Sequence, residues 1–207
     1  MKILDDRRAP NPRRVRIFLA EKGIHVPFEQ VDIMSGVHKS ADLAELNPIQ
    51  RVPVLILNDG TAISESMAIC RYFEAVQPDP PLFGSTPIEI GMIEMWNRRA
   101  ELNFFLPVAQ YFRHTHPAMA HLEVPQIPAW AEANKPRVAE IIRIFDERLS
   151  ATPYLAGENF SVADITAMIA TDFMKPARLA IPDEKPCTSK DGMRRSRRGP
   201  HIKHEAS

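Results

Sequence analysis

Residues 64–66 place a carboxylate between two hydroxyl groups at the predicted start of a helix. Glu65 is flanked by Ser64 and Ser66, and apolar residues at helical spacing follow them (Ile69, Tyr72, Phe73 and Val76). The free backbone N–H groups and the dipole at a helix start attract a carboxylate, while the Glu65 side chain attracts an ammonium group. The sequence therefore predicts a site for a small zwitterion, on a helix with a hydroxyl cap and a first-turn carboxylate.

A predicted hairpin leads into this helix. Val52-Pro53 opens its first strand, where proline is expected because it has no N–H to donate to a sheet. Asp59-Gly60 lies between two apolar runs, which is a strong signal for the turn. A generic hairpin followed by an ordinary capped helix is the alternative interpretation of these residues.

In this order and spacing, the Val-Pro, Asp-Gly and Glu-Ser pairs resemble the glutathione-binding half of the glutathione transferase family. The resemblance implies a cis bond before Pro53 and a Val52 backbone that pairs with the cysteinyl part of glutathione. It also implies that Glu65 and Ser66 bind the γ-glutamyl end. The residues expected to bind the glycyl carboxylate are His38, Lys39 and Arg51. Solvated surface charge is the alternative for Lys39.

Both helices and strands must position these residues. Residues 1–78 predict the order β-α-β-α-β-β-α of a thioredoxin-like α/β domain, whose first β-α-β unit gives a parallel strand pair and whose hairpin gives an antiparallel edge. The predicted elements before the hairpin are a strand at 2–5, a helix at 12–22, a strand at 28–33 and a helix at 41–46. Pro12 at the first helical position and Gly23 after the last support the first helix.

Beyond a proline-rich linker at 79–86, the chain predicts an all-α domain over residues 87–186. Apolar residues at helical spacing indicate long helices at 88–113 and 129–149, and Pro107 either kinks the first of them or starts a new helix. Ser161 and Asp164 have the spacing of a capping box. The core residues predicted for the helix that follows are Ile165, Met168, Ile169 and Phe173. The resemblance implies this same glutathione transferase architecture.

The residue that activates the thiol is the weakest part of the resemblance. Only a thiolate attacks an electrophile, and the family usually places Tyr, Ser or Cys beside the sulfur at the start of the first helix. Residues 6–14 contain none of these, and Asn11 takes the matching place. Its amide can donate a hydrogen bond to a thiolate but cannot shuttle a proton, and capping the helix is the alternative role.

The segment 111–117 supplies a second candidate for activation. It is similar to that of an atypical subgroup without the usual hydroxyl, in which a helix histidine and an ordered water assist the thiolate across the domain cleft. His114 is preferred over His116, because His116 precedes Pro117 and should be leaving the helix. A surface histidine near a helix end is the alternative. No carboxylate or cysteine is spaced to complete a metal site here.

The electrophile should bind in an apolar pocket of the helical domain. The candidate lining residues are Phe104, Phe105, Pro107 and Tyr111, any of which could instead belong to the core. Cys70 and Cys187 do not lie where a disulfide-reducing member of the family needs its cysteine. A redox role is therefore rejected, and Cys70 is interpreted as a small buried apolar residue.

Composition excludes several other classes of protein. Lys and Arg together number 26, as do Asp and Glu, so no net field recruits nucleic acid or an anionic membrane. No apolar run reaches 18 residues and no secretory signal is visible, so a cytoplasmic location is expected. Residues 187–207 predict a disordered basic tail; a frameshift near 184–186 would explain it, and a partner-binding arm is the alternative.

The sequence thus predicts a homodimeric detoxification enzyme that joins glutathione, as co-substrate and without a further cofactor, to small hydrophobic electrophiles. The first alternative is a non-catalytic glutathione-binding module with the same fold, because the usual activating residue is missing. The second is a poorly active homologue with a damaged C-terminus.

Overall fold

A computed structural model of the chain describes residues 1–36 and 40–180. These residues form two compact units, which divide between Leu82 and Phe83. The predicted ligands His38 and Lys39 and the predicted tail at 187–207 lie outside the described residues.

The first unit has the predicted thioredoxin-like order of elements. A four-stranded sheet with strand order β2-β1-β3-β4 pairs β1 with β2 in parallel, while the β1–β3 and β3–β4 pairs are antiparallel. The strands are β1 Lys2–Asp5, β2 Phe28–Gln30, β3 Val54–Ile56 and β4 Ala62–Ser64. The helices are α1 Pro10–Lys22, α2 Ala41–Leu46 and α3 Ser66–Val76.

The helices of the first unit differ little from prediction. Helix α1 begins two residues earlier than predicted, because Pro10 rather than Pro12 is its first residue. It ends as expected before Gly23, whose φ of 64° lies in the left-handed region that glycine adopts most readily. Strand β2 is shorter than predicted and ends at Gln30. Val76, predicted on the apolar face of α3, is 62% exposed because it is the last residue of that helix.

A buried lysine connects the end of α1 to the segment that follows α3. Lys22 Nζ donates to the carbonyl oxygens of Gln77, Pro78 and Pro80 over 2.8, 3.0 and 2.6 Å. It also pairs with Glu74 on α3, at 2.5 Å between Nζ and Oε2. These contacts satisfy a cation that burial would otherwise make costly.

The second unit is helical, as predicted. Its helices are α4 Pro87–Arg99, α5 Leu106–Thr115, α6 Pro128–Ala151 and α7 Val162–Met174, with a short 3₁₀ turn at Pro117–Met119. A π-helical segment, Ala100–Phe105, joins α4 to α5, and Pro107 is the second residue of α5. Proline has no N–H and cannot donate the backbone hydrogen bond of a regular helix. Pro107 therefore stands where the backbone changes from the π-helical to the α-helical hydrogen-bond pattern.

Helix α7 is the buried centre of the second unit. The predicted capping box is present: Asp164 accepts hydrogen bonds from the Ser161 N–H and hydroxyl at 3.0 and 2.8 Å, and from the Leu155 N–H at 2.9 Å. Burial raises the pKa of Asp164 to about 6, although these bonds oppose the shift. Of the predicted core residues Ile165, Met168 and Ile169 are buried and Phe173 is partly buried.

Candidate functional site

The start of α3 presents an exposed carboxylate on a strained backbone. Glu65 precedes the helix with φ 69° and ψ 119°, values that a residue with a side chain rarely adopts. Its side chain is exposed, and none of the described residues bonds to the carboxylate. Such strain persists only where the surrounding structure enforces it, and it clusters at ligand-binding sites.

The predicted cap of α3 is wrong in its details. No side chain caps the helix, and its first turn contains no acidic residue, because Glu65 stands one position before it. The hydroxyl of Ser66, the first residue of α3, instead accepts a hydrogen bond from Arg14 Nη1 at 2.8 Å. Both side chains are buried, and Arg14 is only 1% exposed.

Arg14 is the residue near this site that sequence reasoning missed. The buried residues of α1 are Pro12, Arg14, Val15, Phe18, Leu19 and Lys22, which recur at the spacing of one helical face. Arg14 and Lys22 are the two charged residues on this otherwise apolar face, and their position could have indicated buried polar contacts. A charged residue on such a face must find a polar partner inside the fold, and the serine at the start of α3 provides one.

The Val52-Pro53 bond is cis, as the resemblance implies. Val52 is buried in a cluster with Leu4, Leu43 and Val54. Its backbone amide and carbonyl bond to no other residue within 1–36 and 40–180. The neighbouring Arg51 is exposed, and its carbonyl accepts from the Asn47 amide at 2.9 Å.

Asn11 is the second residue of α1, and Ala9 occupies the cap position. The alternative that Asn11 caps the helix is therefore wrong. Its side chain is half-buried and makes no hydrogen bond to the described part of the chain.

Asp6 holds the loop that precedes α1, because its carboxylate accepts hydrogen bonds from the Arg8 N–H and the Ile33 N–H at 2.9 and 3.1 Å. Burial would raise the pKa of Asp6, but the hydrogen bonds from Arg8 and Ile33 outweigh it and lower that pKa.

His114 lies near the end of α5 and is buried, so the surface alternative is wrong. Its Nδ1 accepts the Ile127 N–H at 3.1 Å, which assigns the proton of the neutral ring to Nε2. Nε2 lies 3.9 Å from a carboxylate oxygen of Glu123, beyond hydrogen-bond distance. Glu123 is held by Arg113, whose Nε donates to its other oxygen at 2.5 Å.

The predicted acceptor residues have different environments. Phe104 is fully buried and its ring packs against that of Phe145 with centroids 5.9 Å apart, which favours the core interpretation. Phe105 and Pro107 are also buried. Tyr111 is half-buried, with the Lys135 ammonium 5.2 Å from its ring centroid.

Cys70 is fully buried on α3, and burial raises the pKa of its thiol to about 12. The interpretation of Cys70 as a small apolar residue is confirmed, because such a thiol does not ionise near neutral pH.

No group of three or more potential metal ligands occurs among residues 1–36 and 40–180. No helix within those residues combines the length and apolar composition needed to cross a membrane.

Comparison with known proteins matches both units to family models. Residues 9–76 match the N-terminal domain of glutathione S-transferase, and residues 104–190 match its C-terminal domain. Glutathione S-transferase 2 of Saccharomyces cerevisiae is 39% identical over 187 residues, which span 89% of this chain and 80% of the yeast protein.

Solved structures agree with these family models. A glutathione S-transferase domain-containing protein from Marinobacter aquaeolei is 39% identical with a TM-score of 0.91, over 98% of this chain and 100% of that one. Gtt2 from Saccharomyces cerevisiae is 37% identical with a TM-score of 0.90, over 98% and 99% of the two chains. With the cis Val-Pro bond and the Glu-Ser pair at the start of α3, these matches establish that the chain belongs to the glutathione S-transferase family, a family of transferase enzymes.

Proposed function

We propose that this chain conjugates glutathione, as its thiolate, to small hydrophobic electrophiles. The observation that carries the proposal is the Glu65-Ser66 pair: an exposed carboxylate on a strained backbone next to a buried hydroxyl at a helix start. A carboxylate beside a helix N-terminus is a suitable receptor for the ammonium and carboxylate of a γ-glutamyl group.

In this proposal, Glu65 pairs with the γ-glutamyl ammonium and the Ser66 hydroxyl donates to the γ-glutamyl carboxylate. The open backbone of Val52, next to Pro53, pairs with the cysteinyl unit. Arg51, which is exposed, binds the glycyl carboxylate. His38 and Lys39 are proposed for the same carboxylate and lie outside the described residues.

Thiol activation is assigned to two groups. Asn11 stands in the first turn of α1, where its amide and the helix dipole favour a thiolate over a thiol. The proposed role of His114 is to donate from Nε2 through a water, since Nδ1 is engaged by Ile127. In a neutral ring only Nε2 can act as the donor.

The electrophile is proposed to bind against the helical unit. Tyr111 is the best-placed acceptor residue, because it is partly accessible and aromatic. Phe104, Phe105 and Pro107 are buried, so their proposed contribution to the acceptor site is through the core of the helical unit. We also propose a cytoplasmic location and a homodimer; a particle mass in solution of twice 23.4 kDa would support the dimer, and a single-chain mass would exclude it.

A second candidate function is glutathione binding without turnover. It is favoured by one observation: the first turn of α1 carries Asn11 where the family usually has Tyr, Ser or Cys. An amide cannot accept the thiol proton, so activation must rely on lowering the thiol pKa.

The two candidates separate in one experiment. Glutathione affinity is measured by calorimetry, and conjugation is measured with an activated aryl halide, an unsaturated aldehyde and an alkyl halide. The proposed enzyme binds glutathione and turns over at least one of these electrophiles. Binding without turnover on all three selects the binding module, and absence of binding excludes both.

A further inference from the structure

The contact between Arg14 and Ser66 joins two elements of the first unit at the start of α3. Arg14 lies on the buried face of α1, and its Nη1 is 2.8 Å from the Ser66 oxygen. Ser66 is 4% exposed, so little water competes for this hydrogen bond. A bond from a charged donor is roughly twice as strong as one between neutral groups.

The direction of this hydrogen bond is fixed by chemistry. A guanidinium has five N–H donors and no acceptor, so the Ser66 oxygen can only accept from it. The Ser66 hydroxyl proton must therefore point away from Arg14. The Ser66 hydroxyl donates no hydrogen bond to any of the residues that the structure describes. Ser66 is thus prepared to donate to an external acceptor.

We infer that Arg14 is a positioning residue for glutathione, holding the Ser66 hydroxyl in the orientation that donates to the γ-glutamyl carboxylate. The inference rests on the proposed glutathione site. Without Arg14, no donor to the Ser66 oxygen fixes the direction of the hydroxyl, which is then free to rotate.

The test compares two ligands on four variants. Glutathione is compared by calorimetry with γ-aminobutyryl-cysteinylglycine, which lacks only the γ-glutamyl carboxylate. The variants are Arg14→Met, Ser66→Ala, the double variant, and Arg71→Met as a matched control on the exposed face of α3. Arg14→Leu, which also lacks an N–H donor, replaces Arg14→Met if the latter fails to fold in a thermal melt.

Arg14→Met is expected to weaken glutathione binding about tenfold, the size of a lost hydrogen bond to a charged group. Ser66→Ala added to Arg14→Met should cost nothing more, and neither variant should change the affinity for the analogue. Arg71→Met should leave both affinities unchanged. The readout is therefore the ratio of the two affinities, which a general loss of stability does not move.

Two failures are distinguishable. If Ser66→Ala itself leaves glutathione affinity unchanged, the proposed glutathione site is wrong, and the role of Arg14 falls with it. If Ser66→Ala weakens binding but Arg14→Met does not, only the inference about Arg14 is overturned. It is also overturned if Arg14→Met weakens both ligands equally, since the arginine then acts on the fold alone.

Discussion

At the scale of single residues, Glu65 combines backbone strain with an exposed carboxylate. Its φ of 69° costs about 1–2 kcal/mol for a residue with a Cβ, and glycine adopts it freely. We therefore expect Glu65→Gly to be more stable to denaturant than Glu65→Ala by about 1 kcal/mol. Both variants should bind glutathione at least tenfold more weakly, because both lose the partner of the ammonium.

The control for this pair is Glu29→Ala, which removes a carboxylate from the exposed strand β2. It should leave glutathione affinity unchanged. Equal stability of the glycine and alanine variants would show that the backbone is not strained. Undiminished affinity in both would remove Glu65 from the site.

Asn11 is the residue assigned to thiolate stabilisation. Asn11→Ala removes the proposed donor to the sulfur, so the pKa of the thiol of bound glutathione should rise towards that of the free thiol. The measurement is the ultraviolet absorbance of the thiolate against pH, with Asn58→Ala as a control in the exposed hairpin turn. A titration that does not move in Asn11→Ala would leave the backbone donors of α1 as the only activating groups.

His114 has a structural role as well as a proposed catalytic one, and the choice of substitution separates them. His114→Ala removes the acceptor of the Ile127 N–H, which should cost about 1–3 kcal/mol of stability. His114→Asn offers an oxygen to that N–H but lacks the donor at Nε2. It should lower kcat while keeping the affinity for glutathione. His121→Asn, in an exposed loop, is the control, and full turnover in His114→Asn would contradict the catalytic role.

At the scale of elements, Lys22 is the main link between α1 and the segment that leaves α3. Lys22→Met would leave the carbonyl oxygens of Gln77, Pro78 and Pro80 without this donor and Glu74 without this cation. Removing one partner of a buried ion pair typically costs about 3–5 kcal/mol. Denaturant unfolding should show a loss of that size, whereas Lys175→Met at an exposed helix end should change little. A loss below 1 kcal/mol would show that water replaces the ammonium readily.

Elements with local signals were predictable from the sequence, and those set by tertiary contacts were not. Helix α2 and strand β1 have the predicted bounds, and Gly23 and the Ser161–Asp164 capping box end and begin helices as expected. The π-helical segment before Pro107 was not predictable, because a register change in a helix depends on packing around it.

The candidate glutathione site likewise combines features that local sequence predicts with features that depend on tertiary contacts. The cis Val52-Pro53 bond and the position of Glu65-Ser66 follow from a pattern of adjacent residues. The Arg14–Ser66 contact joins residues 52 positions apart, so no local pattern predicts it. The hydrogen bond from the Ile127 N–H to His114 likewise joins residues 13 positions apart, on either side of a loop.

At the scale of the whole molecule, the two units carry different parts of the proposed reaction. The first holds the groups proposed to recognise glutathione, and the second holds His114 and Tyr111, which are proposed for activation and for the acceptor site. The family assignment fixes the class of reaction, and the proposal adds that this chain carries it out without the usual hydroxyl or thiol.

The most direct test is the rate of conjugate formation between glutathione and an activated aryl halide, measured for the wild type and for Glu65→Ala at equal protein concentration. The proposal predicts a rate well above the uncatalysed reaction for the wild type. It also predicts a loss of at least tenfold in kcat/KM for Glu65→Ala, as expected when the charged partner of the γ-glutamyl ammonium is removed. A wild-type rate equal to the uncatalysed one, in protein that binds glutathione, would contradict the account.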